Sequence, residues 1–377
     1  RGLRLCTKTN KDCLTVLDFV GQYRKEFRFS NRLGAMLTEV NASVELQLCN
    51  GFTALPPGCS ITLEPIARDR VLENIRSQIR TWRDKLIDAL QQLRERLERT
   101  PTQREFIEAT LFDPRVFYSD KVQSTWSGTL LGAGIGFPEE INLLKPYLSP
   151  LRAVASLTDH KLAEFGLKIL QAIESNVNIP PTDLVDRRLQ VLLVAFGNAV
   201  KSLKNLDRDV SAVDIIDVLK EDILLRNELK SLLQTVGVRE IPLSIAPAVP
   251  IPFGVPLLLH HTYTNKQITA GFGWKSCWHA DLQGGVAWIP EYGAYLMLVT
   301  LEKDEASFTE RTRYRDFAIT PTKFHWQSQS RARQDRGDGL HIVNAKNGIG
   351  KMWLFVRRAQ KDEFKKAAPF VFMGSFL

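Results

Sequence analysis

Apolar residues return every three or four places through the middle of this chain: Leu72, Ile75, Ile79, Trp82, Leu86, Leu90, Leu93 and Leu97. That spacing lines one face of a helix and predicts a long amphipathic helix over 71–97. Thr100 followed by Pro101 predicts a fresh start, with Thr100 as N-cap, proline at the first helical position and Gln103 completing a capping box. Further helical periodicity covers 139–147, 151–175, 183–204 and 211–236, so 66–236 reads as a helical spacer. Before it, the apolar, β-branched run LTVLDFV (14–20) predicts a buried strand, and Pro56-Pro57-Gly58 marks a turn.

Between 237 and 256 the pattern breaks. Pro242, Pro247, Pro250, Pro252 and Pro256 predict a semi-rigid linker. Beyond it the period changes from helical to extended. Short β-prone runs at 286–289, 295–301, 317–320, 324–326, 352–357 and 369–373 are separated by Gly284-Gly285, Gly337-Asp338-Gly339 and Asn347-Gly348. A short helix is expected at 263–270. The pattern predicts an α+β chain that ends, over 257–377, in a mostly-β barrel or curved sheet.

Charge sharpens this division. Of a net charge of +8, a balance of +6 lies in 257–377, with 17 Lys and Arg against 11 Asp and Glu; five of the six histidines lie there too. A basic module suits an anionic partner. The five cysteines show no CxxC or Cys/His zinc spacing, which points to reduced thiols in a cytoplasmic protein. No apolar run approaches the ~20 residues of a membrane span, and the sequence shows no signal peptide.

Within the basic module, RTRYRDFAITPTKFHWQSQ (311–329) is the stretch least explained by packing. Arg311, Arg313 and Arg315 alternate with Thr312 and Tyr314; Asp316, His325, Trp326, Gln327, Ser328 and Gln329 follow, then Arg331 and Arg333. Guanidinium groups suit phosphates, aromatic faces suit bases, and carboxylate and amide groups suit base edges. Asp316 could accept from a cytosine amine, or pair with a neighbouring arginine. Trp274, Trp278, Tyr292, Tyr314 and Trp326 offer flat faces for bases, and Tyr314 and Trp326 could instead fill a core. Metal-assisted cleavage needs clustered carboxylates; Asp335 and Asp338 sit in a glycine-rich stretch that reads as a hairpin tip. His260-His261 adjoins apolar residues and reads as a core or helix-start pair.

The opening Arg1-Gly2-Leu3-Arg4 resembles the end of the last conserved motif of superfamily 2 helicases, Gln-x-x-Gly-Arg-x-x-Arg. LTVLDFVGQYRKEFRF (14–29) is similar to the last strand and exit of a second motor lobe. The resemblance continues through TPTQREF (100–106), PLLLHHTYT (256–264), VTLEKDEASFTERTRYRDFAI (299–319), FHWQSQS (324–330), LFVR (354–357), APF (368–370) and MG (373–374). It points to bacterial DEAD/DEAH-type helicases with an uncharacterised C-terminal domain, as in modification-dependent restriction helicases. It implies a remnant of a RecA-like lobe at 1–65, with Arg1 and Arg4 facing ATP in the intact enzyme. It also implies a C-terminal barrel of PUA/SRA-like form that reads methylated cytosine in DNA. ATP and Mg would serve the intact enzyme, alongside upstream motor lobes and a nuclease domain. The phosphate-binding loop is missing, so the chain is expected to be a fragment that takes no cofactor alone and lacks a final strand. The alternative is a single-strand guide or a protein-docking platform, with the 71–97 helix as the docking face.

Overall fold

The computed structural model describes the chain from Phe29 onward, except 35, 38–43, 45–46, 49–50, 53–54, 56–58, 78–81, 119–120, 137–139, 239–250, 253, 279, 303–315, 321–322, 329–331 and 377. The expected strand at 14–20 and most of the proline-rich linker therefore lie outside the described residues. The chain divides into two compact units, Arg1–Thr81 and Trp82–Leu377.

In the first unit, α1 (Phe29–Gly34) and α2 (Pro65–Ser77) share a small core. Phe29, Leu33, Leu48, Val71 and Leu72 form it, with Val44, Phe52 and Leu63 against its edge.

The second unit opens with α3 (Trp82–Leu97). Of the long helix expected over 71–97, the parts within α2 and α3 are helical, and 78–81 between them lie outside the described residues. Leu86, Leu90 and Leu93 are buried in the second unit's own core, so this part of the periodic face is occupied from within. The next helix, α4 (Gln103–Thr110), starts two residues later than Thr100 and Pro101 suggested. Thr102 is the N-cap. Its hydroxyl accepts the Glu105 N–H, and the Glu105 carboxylate accepts the Thr102 N–H at 2.8 Å. Arg99 reaches the same carboxylate, and that hydrogen bond, ahead of the one from the Thr102 backbone, holds Glu105 down at about 2. A charge-assisted capping box outweighs the proline signal.

Helices α5 (Trp126–Gly132), α6 (Leu148–Ala155), α7 (His160–Glu174), α8 (Arg187–Leu193), α9 (Gly197–Leu203), α10 (Ala212–Glu221) and α11 (Ile223–Leu233) complete the helical layer. A buried carboxylate ties it together. Glu228, on α11, accepts from the Trp126 N–H (2.7 Å), the Ser127 N–H (3.0 Å), the Ser127 hydroxyl and the Tyr118 hydroxyl (3.0 Å). The two backbone donors belong to the first turn of α5, which has no intrahelical partner for them.

After the proline-rich segment come β1 (Thr262–Tyr263), α12 (Asn265–Gly271), β2 (Val286–Ile289), β3 (Ala294–Glu302), β4 (Phe317–Thr320), β5 (Lys323–His325), α13 (Gly337–Lys346), β6 (Lys351–Ala359) and β7 (Phe370–Phe376). A Thr264/Gln267 capping box starts α12. Five strands form one sheet in the order β1-β7-β6-β3-β2; β4 and β5 form a separate ribbon. β3 and β6 run parallel, and the other pairs are antiparallel. Among the described residues the sheet is open, with β1 and β2 at its edges, rather than the closed barrel suggested by the strand spacing. A parallel pair requires a long crossover, and the chain between β3 and β6 supplies it. The Gly337-Asp338-Gly339 stretch, read as a turn, instead begins α13.

The central strands are buried on both faces, and alternation sorts their side chains. Ala294, Leu296, Leu298, Trp353, Phe355, Phe370 and Phe372 join a core that runs continuously into the helical layer. Phe272, which caps α12, lies 6.3 Å from both Trp353 and Phe355, and Phe355 stacks on Phe372 at 4.6 Å. Tyr295, Met297, Val299, Met352 and Leu354 point the other way, to a second core with Ala345 of α13.

Polar groups fasten the sheet to the helices at two points. Asp159 caps α7 and accepts the Tyr263 hydroxyl at 2.6 Å. Beside it the Thr158 hydroxyl contacts Nδ1 of His261, which is fully buried, consistent with the core role expected for it. At the second point, Asp362 in the β6–β7 connection binds Arg115 (3.1 Å) and Arg152 (2.5 Å), while both guanidinium groups lie over the Phe364 ring. Among the described residues no helix is long and apolar enough to cross a membrane.

Candidate nucleic-acid interface

The crossover between β3 and β6 carries the chemistry singled out in the sequence. Its described part lies on the sheet face opposite the helical layer, where α13 and the β4–β5 ribbon cover the second core. The helical side is scaffold, and the crossover side presents the candidate groups.

The ribbon pairs Phe317 with His325, Ala318 with Phe324 and Thr320 with Lys323, with an irregularity between Ala318 and Thr320. Asp316 closes its base: the carboxylate accepts the Gln327 N–H at 3.0 Å. The strand expected at 324–326 is Lys323–His325, so Trp326, Gln327 and Ser328 follow it as irregular chain. Phe324 and Trp326 pack against the second core as half-buried groups. On the opposite face Phe317 and Ile319 are 48% and 57% exposed. The Phe317 and His325 rings stack there at 4.9 Å, 18° from parallel.

Next to the ribbon, Trp288 of β2 stacks on His341 of α13 at 4.0 Å and 12°. Buried Tyr295 hydrogen-bonds Asp338, in the first turn of α13. Burial first, then the Asp338 charge, pushes the Tyr295 hydroxyl far above its ordinary range. Asp338 thus fastens helix to sheet. Arg333 and Arg336 are exposed, and their backbones bridge just before α13. Gly339 is required there: a Cβ at that position would sit 2.1 Å from the Arg333 carbonyl oxygen.

Of the expected site residues, the structure brings Asp316, His325, Trp326, Gln327 and Ser328 onto or beside one ribbon. Exposed Arg333 lies at the start of α13. Arg1, Arg4, Arg311, Arg313, Tyr314, Arg315, Gln329 and Arg331 lie outside the described residues. Trp274, Trp278 and Tyr292 pack against the first core, and Arg187 covers the Tyr292 ring at 5.1 Å. Phe317 and Ile319 were not singled out in the sequence. Their i, i+2 spacing was visible, but an apolar pair at that spacing reads equally well as core.

The resemblance implies ATP and Mg. Among the described residues no group of three or more His, Cys, Asp or Glu could hold a metal ion. The sequence has no Gly-x-x-x-x-Gly-Lys-Ser/Thr phosphate-binding motif; in Gly271-Phe272-Gly273-Trp274-Lys275-Ser276 tryptophan stands where that motif needs its second glycine. Among the described residues nothing offers a site for a nucleotide–metal pair, and no chemical step is assigned to one.

A family model described as "Domain of unknown function (DUF3427)" matches residues 257–376, the region that holds the sheet, the ribbon and α13. No curated protein matches the chain, and no solved structure matches it.

Proposed function

We propose that residues 257–377 bind DNA and form the recognition part of an ATP-dependent helicase or translocase of the restriction or phage-defence type. The observation that carries this reading is the composition of the β3–β6 crossover. From Arg311 to Arg336 it holds seven Lys or Arg against two Asp, interleaved with aromatic and amide groups. The position of the described part of the crossover, on the sheet face away from the helical scaffold, supports the reading. So does the division of labour it allows, with phosphate contacts supplying affinity and aromatic and amide groups supplying selectivity. The helicase context rests on the sequence resemblance. The finer proposal is an SRA-like activity: uptake of a methylated cytosine by the module.

Replacing Arg311, Arg313 and Arg315 together by Ala is expected to weaken duplex binding. It should also flatten the slope of log K against log salt by roughly 3, at about 0.9 per lost phosphate contact. An unchanged slope would remove these arginines from the interface. In parallel, duplexes with and without 5-methylcytosine are compared by anisotropy. About tenfold tighter binding of the methylated duplex is expected; equal affinities would remove the cytosine reading and leave a general DNA grip.

A further inference from the structure

We propose that the outer face of the β4–β5 ribbon is a stacking platform for unpaired bases, with Phe317 as its principal face, His325 beneath it and Ile319 beside it. This rests on the nucleic-acid reading above and specifies the state of the ligand: single-stranded or locally unpaired nucleic acid.

Three observations carry it. The ribbon is a two-stranded element whose inner side is already committed, because Phe324 and Trp326 pack on the second core. Pairing of Ala318 with Phe324 on the inner side therefore drives Phe317 outward, the register sets His325 opposite it, and Ile319, at the register irregularity, is exposed as well. Second, the outward side exposes two large apolar groups beside polar ones. Phe317 is 48% and Ile319 57% exposed, on a sheet of only two strands, which is marginal in water. Third, the surrounding sequence is strongly basic. Three arginines end one residue before the Asp316 that closes the ribbon, and Lys323 at the turn end is exposed. An exposed aromatic plane flanked in the sequence by positive charge matches a base attached to a phosphate backbone. It matches an apolar protein surface less well, because burying that surface would also desolvate the charges.

The geometry also limits what the platform can read. Phe317 and Ile319 carry no hydrogen-bonding side-chain group, so they hold a base by its face and are indifferent to its edge. Within a duplex the base faces are stacked on their neighbours and closed to such contact. The platform should therefore favour single strands over duplex at equal charge.

The test uses the full chain and a single-stranded oligonucleotide carrying 2-aminopurine, whose fluorescence is quenched on stacking. The wild-type chain should quench it and bind the oligonucleotide more tightly than the matching duplex. Phe317→Ala should abolish the quench and weaken single-strand binding by about tenfold or more, while the slope of log K against log salt stays the same. Phe317→Trp should restore both signals, and an unchanged circular dichroism spectrum shows that the fold is kept. If Phe317→Ala binds and quenches like the wild type while salt-sensitive DNA binding persists, the platform is overturned and the DNA-binding reading stands. If the wild type binds neither strand form at low salt, both fall.

Discussion

Replacing Glu228 by Ala is expected to remove about 3–5 kcal/mol of stability from the helical layer. Glu228 is 1% exposed and its carboxylate accepts four hydrogen bonds, two of them from backbone N–H groups of the first turn of α5. The substitution leaves the Trp126 and Ser127 N–H groups and the Tyr118 hydroxyl with no acceptor. Buried groups in that condition cost about 1–3 kcal/mol each. The urea midpoint should fall with little change in slope. A shift below 1 kcal/mol would show that water replaces the carboxylate.

The same residue sets a pH dependence. Burial raises the Glu228 carboxyl above its ordinary 4.5, against the opposing pull of hydrogen bonds from Ser127, Trp126 and Tyr118. The folded state therefore holds this proton more tightly than the unfolded chain does. Stability is greater on the acid side, and this contribution is lost as pH rises from 4.5 through the folded value. Glu228→Gln should erase that part of the stability–pH curve. A curve of unchanged shape would assign the effect to other groups.

The second large effect is expected at Asp362. Its side chain is 3% exposed and neutralises Arg115 and Arg152, whose side chains are 15% and 9% exposed. It also accepts the Phe364 and Lys366 N–H groups, which shapes the β6–β7 connection. Asp362→Ala takes the carboxylate from buried Arg152, while Arg115 keeps Asp113 and Glu363, and should cost about 3 kcal/mol. Because this cluster joins sheet to helices, the expected signature is specific: two unfolding steps in urea where the wild type shows one. Asp362→Asn keeps acceptors for the turn and loses the charge, so it separates loop shape from ion pairing. A single transition at the wild-type midpoint for both variants would show that the apolar core alone couples the two parts.

Much of the fold was legible in the sequence, and the failures have physical causes. The strands at 286–289 and 317–320 lie where β-branched and aromatic runs placed them, because their flanking residues leave few other choices. The start of α4 was misplaced because proline is a weaker instruction than the reciprocal Thr102–Glu105 bonds, which a neighbouring Arg99 reinforces. The start of α13 was hidden because Gly337-Asp338-Gly339 carries turn chemistry. Gly339 is there to admit the Arg333 carbonyl, and Asp338 to meet Tyr295. Strand order was not legible at all: periodicity identifies strands, while the parallel pairing of β3 with β6 depends on where the crossover returns. The candidate site was half visible. Residue types in 316–328 pointed to one locality, and the structure gathers them on one ribbon. Which side of the ribbon faces the core could not be read, since alternation fixes two faces without ranking them. So Trp326, the conspicuous aromatic, is packed on the core, while Phe317 stands exposed.

The central claim is that 257–377 is a nucleic-acid-binding module built on a helical scaffold. Its most direct test is an anisotropy titration of the full chain with labelled DNA between roughly 50 and 200 mM salt. Binding of duplex at the low end is expected, with log K falling linearly against log salt at a slope of about −3 or steeper, as three or more phosphate contacts require. A folded chain that binds no DNA at the lowest salt, or one whose affinity ignores salt, would contradict the account.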